Sequence, residues 1–142
     1  RRGRESSRGE RGMTDRRPDC VYGVLVRDET VFVRAMDGHF GLPGGVFRPM
    51  AEDRKVELTA HLWDQLGIEA ASIWGQGAFI YRNPEEDREK FCGFYSVWDW
   101  TGDVPPAAGR WLTDTELAMT ALPASLRILL FSILQTHAMK TT

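Results

Sequence analysis

The chain has 142 residues, of which 42% are hydrophobic and 27% are charged, so it suits one water-soluble domain with a sizeable core. Of its 18 basic and 20 acidic residues, seven arginines and three acidic residues lie within residues 1–17, which leaves 11 basic and 17 acidic residues for the remainder. This acidic body argues against a stand-alone nucleic-acid-binding domain.

The first segment of the chain, residues 1–12, contains no apolar side chain, so it is predicted to be disordered in isolation. It has neither the hydrophobic stretch of a signal peptide nor the amphipathic face of a mitochondrial presequence. Short charge runs are usually solvated tails, and a basic arm that docks on an acidic partner is the alternative. We therefore predict a basic tail at residues 1–17 and one folded domain at residues 18–142.

The cysteines and the hydropathy pattern bear on where the protein works. Cys20 and Cys92 each lie in an apolar strand-like run, and two buried, reduced thiols fit a reducing cytoplasm. No apolar run reaches the ~20 residues that a membrane-spanning helix needs. The predicted localisation is cytoplasmic, without a membrane partner.

Hydrophobic patterning predicts a mixed sheet with helices on both faces. The predicted strands are residues 20–26, 30–35, 39–42, 71–81, 91–100 and 110–112, the first two forming a hairpin. The predicted helices are residues 53–66, a short helix opened by a capping box at Thr113 and Glu116, and a last helix from about residue 123 to 138. Residues 83–90 are predicted to form a polar turn.

The glycine segment, residues 41–45 (Gly-Leu-Pro-Gly-Gly), and the helix behind it are the most informative stretch. Glycine lets a ligand approach the backbone closely, and a loop leading into a helix often handles phosphate. A loop–helix junction also needs glycine for structural reasons alone. The helical run ends at Gly67, which suits a left-handed C-cap, and its apolar residues recur at nearly helical spacing: Val56, Leu58, Leu62, Trp63 and Leu66.

The segment from Gly45 to Ile68 resembles the Nudix box. The family pattern is Gly, five residues, Glu, seven residues, and then Arg-Glu-apolar-x-Glu-Glu-x-Gly-apolar. The hairpin upstream, the Leu-Pro-Gly-Gly run, the aromatic strand downstream and the late segment at residues 110–117 are similar to the family as well. The resemblance implies an α/β fold, namely a Nudix-like α/β/α sandwich with a mixed central sheet, and it allows a homodimer, since Nudix-like proteins are commonly dimers.

The box departs from the family pattern at several charged positions. Aligned backwards from Gly67, the substitutions are Ala60 for Arg, His61 for Glu, Asp64 for the first paired Glu and Gln65 for the second. Glu52 takes the first Glu position with six residues after Gly45, whereas a gap-free alignment would place Ala51 there. In the family these carboxylates hold Mg²⁺ or Mn²⁺ against a diphosphate that water attacks. Losing hard anionic donors and the ion pairs of Arg therefore predicts weakened catalysis.

The resemblance also implies a candidate metal site on the helix. Asp53, Glu57, His61 and Asp64 are spaced four, four and three apart and form one polar stripe. The predicted metal ligands are Glu52, Glu57, His61, Asp64, Gln65 and Glu86, and the predicted catalytic groups are Asp64, Glu57 and His61. An imidazole ligand would shift the preference away from Mg²⁺ towards Mn²⁺ or Zn²⁺-like ions. The same stripe is typical of an amphipathic helix that exposes its charged face, and the acidic turn around Glu86 is typical of a solvated hairpin tip.

The predicted function is divalent-metal-dependent hydrolysis of a nucleoside diphosphate linked to another moiety, atypical or weak because the box is degenerate. Its predicted substrate-binding residues are Gly44, Gly45, Arg34, Arg48 and Arg82, with His39 beside the glycine segment as a further ligand contact. The alternative is a catalytically inactive Nudix module that binds a nucleotide-like ligand or a protein partner. A third interpretation is a structural subunit that docks through the basic arm.

Overall fold

A computed structural model of the chain describes residues 17–83 and 88–141. Its strands are β1 (Cys20–Arg27), β2 (Thr30–Met36), β3 (His39–Gly41), β4 (Gly44–Val46), β5 (Glu69–Asn83), β6 (Arg88–Thr101) and β7 (Gly109–Leu112). Its helices are α1 (Arg54–Leu66), α2 (Asp114–Met119) and α3 (Ala124–Thr141), with a 3₁₀ turn at Pro106–Ala108 before β7. Within this described part, no helix is both long and apolar enough to cross a bilayer.

The strands form one mixed sheet in the order β3-β2-β1-β6-β5, with β4 added to β1 and β7 to β2. Only the β1–β6 pair among these contacts is parallel. β5 stands at the end of this order and pairs with β6 in a long hairpin whose register shifts three times, the last between Gly75 and Gly77. Regular pairing is therefore interrupted along this outermost strand.

The sheet separates two hydrophobic cores, because successive side chains of a strand point to opposite faces. Along β1, Tyr22, Val24 and Val26 join one core with α2 and α3. Val21 and Leu25 join the other core with α1. All of β1 except Arg27 is buried. The predicted α/β/α sandwich with a mixed sheet is confirmed.

Local sequence signals position α1. The Asp53 side chain accepts from two backbone N–H groups of the first turn, and Gly67 ends the helix with φ 70°. Leu58, Leu62 and Leu66 are buried, four residues apart on one face. Val56 and Trp63, which the spacing also assigned to the apolar pattern, are 65% and 61% exposed because they lie off that face.

Several element boundaries differ from the sequence prediction, most of all those of β4, β5 and β6. β4 was predicted as part of the glycine loop, yet it pairs with the first residues of β1. β5 and β6 extend on both sides of the predicted spans and take up part of the predicted polar turn. The predicted tail lies outside the described residues except for Arg17, which donates to the Arg48 carbonyl and stacks on Phe47 with its guanidinium 3.9 Å from the ring centroid.

Candidate ligand-binding site

A cavity of about 440 Å³ lies where β1 changes partners. β1 pairs with β4 through Cys20–Tyr22 and with β2 through Val26 and Arg27, and the Gly23 N–H between them donates to the Pro43 carbonyl at 2.9 Å. The cavity is bordered by β2 and β3 on one side and by β4 on the other. Its volume falls in the range of small-molecule sites, about 300–1,000 Å³.

Two side chains of α1 bind the backbone of the glycine segment and β4. The Gly44 N–H donates to Gln65 Oε1 at 2.9 Å, and Gln65 Nε2 donates to the Gly44 carbonyl at 2.8 Å. His61 Nε2 donates to the Val46 carbonyl at 2.9 Å, because a carbonyl oxygen can only accept. Both polar atoms of the Gln65 amide are therefore engaged with one glycine.

One turn earlier on α1, Glu57 is paired with Arg48. Arg48 Nε and Nη2 donate to the two Glu57 oxygens at 2.8 and 3.0 Å, and the Arg48 N–H adds a longer contact of 3.4 Å. Glu57 is only 3% exposed, whereas the Arg48 side chain is 71% exposed. The hydrogen bonds from Arg48 lower the pKa of Glu57 against the opposing effect of burial.

We call this set of contacts the α1 seam: Glu57 with Arg48, His61 with Val46, and Gln65 with Gly44. Successive helix residues of the seam are four sequence positions apart, and their partners are two positions apart in the opposite direction along the chain. Four helical residues rise about 6 Å and two strand residues about 6.6 Å, so the contacts stay in register over their whole length. The seam fixes the glycine segment and β4 against α1.

The seam occupies three of the six side chains that were predicted to bind a metal, namely Glu57, His61 and Gln65. Within the described ranges, no three His, Cys, Asp or Glu side chains form a group that could hold a metal ion. A divalent cation such as Mg²⁺ needs several oxygen ligands with available lone pairs. Arg48 neutralises the charge of Glu57, His61 directs an N–H at a carbonyl oxygen, and Gln65 is a neutral amide with both atoms engaged, so these three groups do not fit such an ion. Glu52 and Asp64 are exposed, and Glu86 lies outside the described residues.

The predicted phosphate-binding residues are divided by the fold. Arg34, Gly44 and Gly45 line the cavity. Arg48 is used by the α1 seam, and Arg82 lies outside the cavity on β5, with Nη2 3.6 Å from Glu89. Gly45 is held close to the helix, since a Cβ there would lie 3.2 Å from His61 Cε1.

The cavity also has aromatic and thiol walls that sequence reasoning did not assign to it. Cys20, Tyr22 and Tyr81 line it from β1 and β5. The Tyr22 ring is fixed by Phe94, with centroids 5.8 Å apart, and by Tyr81 at 5.9 Å. Burial raises the pKa of Tyr81 to about 12, so its hydroxyl stays protonated at neutral pH. Only strand register, which pairs β1 with both β4 and β6, brings these side chains to one place.

Solved structures of Nudix proteins superpose on the chain. The MutT NUDIX hydrolase from Burkholderia pseudomallei gives a TM-score of 0.63 at 18% identity, over 78% of this chain and 93% of its own. The mutator MutT protein from Bacillus halodurans gives 0.68 at 16% identity, over 83% and 82%. The MutT protein from Methanosarcina mazei gives 0.64 at 17% identity, over 84% and 93%. The chain has the Nudix fold. No family model and no curated protein match it.

In this Nudix-fold chain, Arg48→Met is expected to destabilise the native state more than Glu57→Gln. Arg48→Met leaves a buried carboxylate without its side-chain donors and with only the longer contact from the backbone N–H at position 48, whereas Glu57→Gln keeps an amide oxygen for an exposed guanidinium. We expect the Tm of Arg48→Met at pH 7 to fall by about 5 °C more than that of Glu57→Gln. Thermal unfolding followed by circular dichroism measures both.

The pH dependence of this difference has a defined sign. Because the fold lowers the pKa of Glu57, its contribution in the wild type is complete above the ordinary value of 4.5 and is lost as pH falls through the folded pKa. In Arg48→Met, burial without a partner raises that pKa, so this variant should lose stability as pH rises above 4.5. Parallel stability profiles for the two proteins between pH 4 and 7 would refute the role of Arg48.

Proposed function

We propose that this Nudix-fold chain is a non-catalytic module that binds a nucleotide-like, phosphate-bearing ligand in the cavity between β2, β3 and β4. The α1 seam carries the proposal. His61 and Gln65, at two box positions of α1, bind the chain's own backbone, and Glu57, one turn earlier, binds Arg48, so these three side chains hold the glycine segment in place instead of presenting oxygen ligands to a cation.

The lining of the cavity supports a ligand of this class. Arg34 supplies a guanidinium, which suits a phosphate group. Gly44 and Gly45 line the cavity with backbone atoms in place of side chains. Tyr22 and Tyr81 provide an apolar, aromatic wall against which the base of a nucleotide can lie. A small ligand with an anionic end and a planar end matches this arrangement.

The test is calorimetric titration with AMP, ADP and ADP-ribose in EDTA and then in Mg²⁺ or Mn²⁺. We expect binding in EDTA that the metals change by less than about threefold, and intact ligand after prolonged incubation. Arg34→Met should abolish binding, while its matched control Arg82→Met, which removes a cation outside the cavity, should keep it. Absence of binding in both metal conditions, or turnover that EDTA stops, would overturn the proposal.

Metal-dependent hydrolysis of a nucleoside diphosphate derivative is the second candidate function. It is favoured by the similar structures, since all three are MutT proteins and the one from Burkholderia pseudomallei is named a NUDIX hydrolase. Nudix hydrolases generally use a divalent metal, and Asp64 is exposed on α1 at a position where the family has a carboxylate. Product formation that needs Mn²⁺ and is lost in Asp64→Asn would establish this function in place of the first.

A further inference from the structure

His39 lines the ligand cavity and has a ring nitrogen that is unpaired among the described residues. It opens β3, and the register pairs it with Met36 and pairs Gly41 with Arg34, so these residues share the face of the β2–β3 hairpin that lines the cavity. The His39 Nδ1 lies 3.0 Å from the Asp37 carbonyl oxygen. Nε2 is buried and has no hydrogen-bond partner within the described part of the chain.

The contact with Asp37 determines what Nε2 can do. A backbone carbonyl oxygen only accepts, so Nδ1 must carry the hydrogen of that contact. In the neutral imidazole, Nε2 is then the nitrogen with the lone pair, and it can only accept a hydrogen bond. A buried acceptor without a partner costs free energy, which a ligand with a hydrogen-bond donor at this place would recover.

The charges along the β2–β3 hairpin favour a hydrogen-bond donor of the ligand over a phosphate at the His39 end of the cavity. Asp37 lines the cavity next to His39 and would repel an anionic group there. Arg34 would attract an anionic group. It lies opposite Gly41, which is close in sequence to Gly44 and Gly45. The hairpin therefore has an anion-repelling end at His39 and an anion-attracting end at Arg34.

Building on the proposed nucleotide-binding function, we propose that His39 Nε2 accepts a hydrogen bond from the ligand and selects ligands that carry a donor there. The phosphate lies towards Arg34, and the donor lies towards His39. Two groups of a nucleotide supply this chemistry, an amino group on the base and a hydroxyl group on the ribose. His39 is then a specificity-determining residue of the cavity.

The experiment compares three ligands in EDTA: AMP, the 5′-monophosphate of purine riboside, which lacks the amino group, and 2′-deoxy-AMP, which lacks one hydroxyl group. One of the two analogues should bind wild type about tenfold more weakly than AMP, which corresponds to about 1.4 kcal/mol. In His39→Phe, AMP should weaken to the affinity of that analogue, and the discrimination should disappear. The analogue that loses affinity identifies the donor.

Two further variants distinguish a hydrogen-bond acceptor at His39 from a side chain that only packs against the ligand. In His39→Gln the amide oxygen reaches about as far as Nε2, so discrimination should persist in part, whereas His39→Asn is too short and should lose it. Inorganic pyrophosphate, which carries neither an amino group nor a ribose hydroxyl, should bind wild type and His39→Phe equally. If AMP binds His39→Phe as well as wild type, or neither analogue is discriminated, the assignment of His39 is wrong while the binding function stands. If no ligand binds wild type, both fail.

Discussion

Replacing His61 and Gln65 together by glutamate is expected to make the stability of the fold depend on a divalent metal. Both side chains now donate to carbonyl oxygens, of Val46 and of Gly44. A carboxylate in either place would set one acceptor against another and leave the carbonyl without its donor. In EDTA we expect the Tm of this double variant to fall by about 10 °C.

A cation placed between the new carboxylates and the two carbonyls would remove this repulsion, because Mg²⁺ and Mn²⁺ take oxygen ligands of both kinds. Saturating Mn²⁺ should therefore restore much of the lost stability, about 2.7 kcal/mol at a hundredfold excess over Kd. The wild-type Tm should be unaffected by the same addition, since the seam already satisfies these groups.

The matched control is Ala60→Glu with Trp63→Glu, which adds two carboxylates to the exposed side of α1. Its Tm should change little and should not respond to Mn²⁺. Thermal unfolding of the wild type, the double variant at His61 and Gln65 and the control variant, each with and without Mn²⁺, tests this prediction. A double variant at His61 and Gln65 that is as stable in EDTA as the wild type would show that these two contacts of the α1 seam contribute nothing to the stability of the fold.

Gly44→Ala is expected to be the most damaging single substitution in the glycine segment. Gly44 has φ +138°, and a Cβ there would lie 2.2 Å from the Val21 carbonyl oxygen and 2.7 Å from Tyr22 Cα. These are backbone atoms of the central strand, so they cannot move without breaking the β1–β4 pairing. We expect a loss of at least about 4 kcal/mol, enough to unfold much of the population.

Gly38→Ala is the matched control for this effect. Gly38 also has a positive φ, +81°, but no heavy atom lies within 4 Å of the position of its Cβ. The substitution should cost only the conformational strain, about 1 kcal/mol. Urea denaturation compares the two, and equal losses would mean that the close approach of β4 to β1 does not limit this position.

Local sequence was sufficient to predict α1 and the short helix after it. The N-cap at Asp53, the left-handed Gly67 and the capping box of Thr113 with Glu116 each act within one turn of the helix end, so a sequence pattern contains the whole interaction. Strand β1 was likewise predicted from its run of apolar and β-branched residues, whereas the division of its side chains between two cores came from the structure.

β4 and the seam could not be predicted in the same way. Gly44 and Gly45 have low strand propensity, and their pairing with β1 comes from tertiary contacts rather than from their own preferences. The partners of His61 and Gln65 are backbone carbonyls, and every residue has one. The box substitutions therefore indicated which groups were lost from the family pattern, but not which backbone atoms the new side chains reach.

The irregular register of β5 has a consequence for the behaviour of the protein at high concentration. As the terminal strand of the sheet, β5 exposes one row of backbone donors and acceptors, which in a flat strand of 15 residues would template the addition of further chains. The shifts at residues 70–73 and 75–77 twist this row and divide it into short runs. We therefore expect β5 to resist strand-to-strand aggregation, and substitutions that straighten it, at Gly77 above all, to make concentrated solutions gel or precipitate.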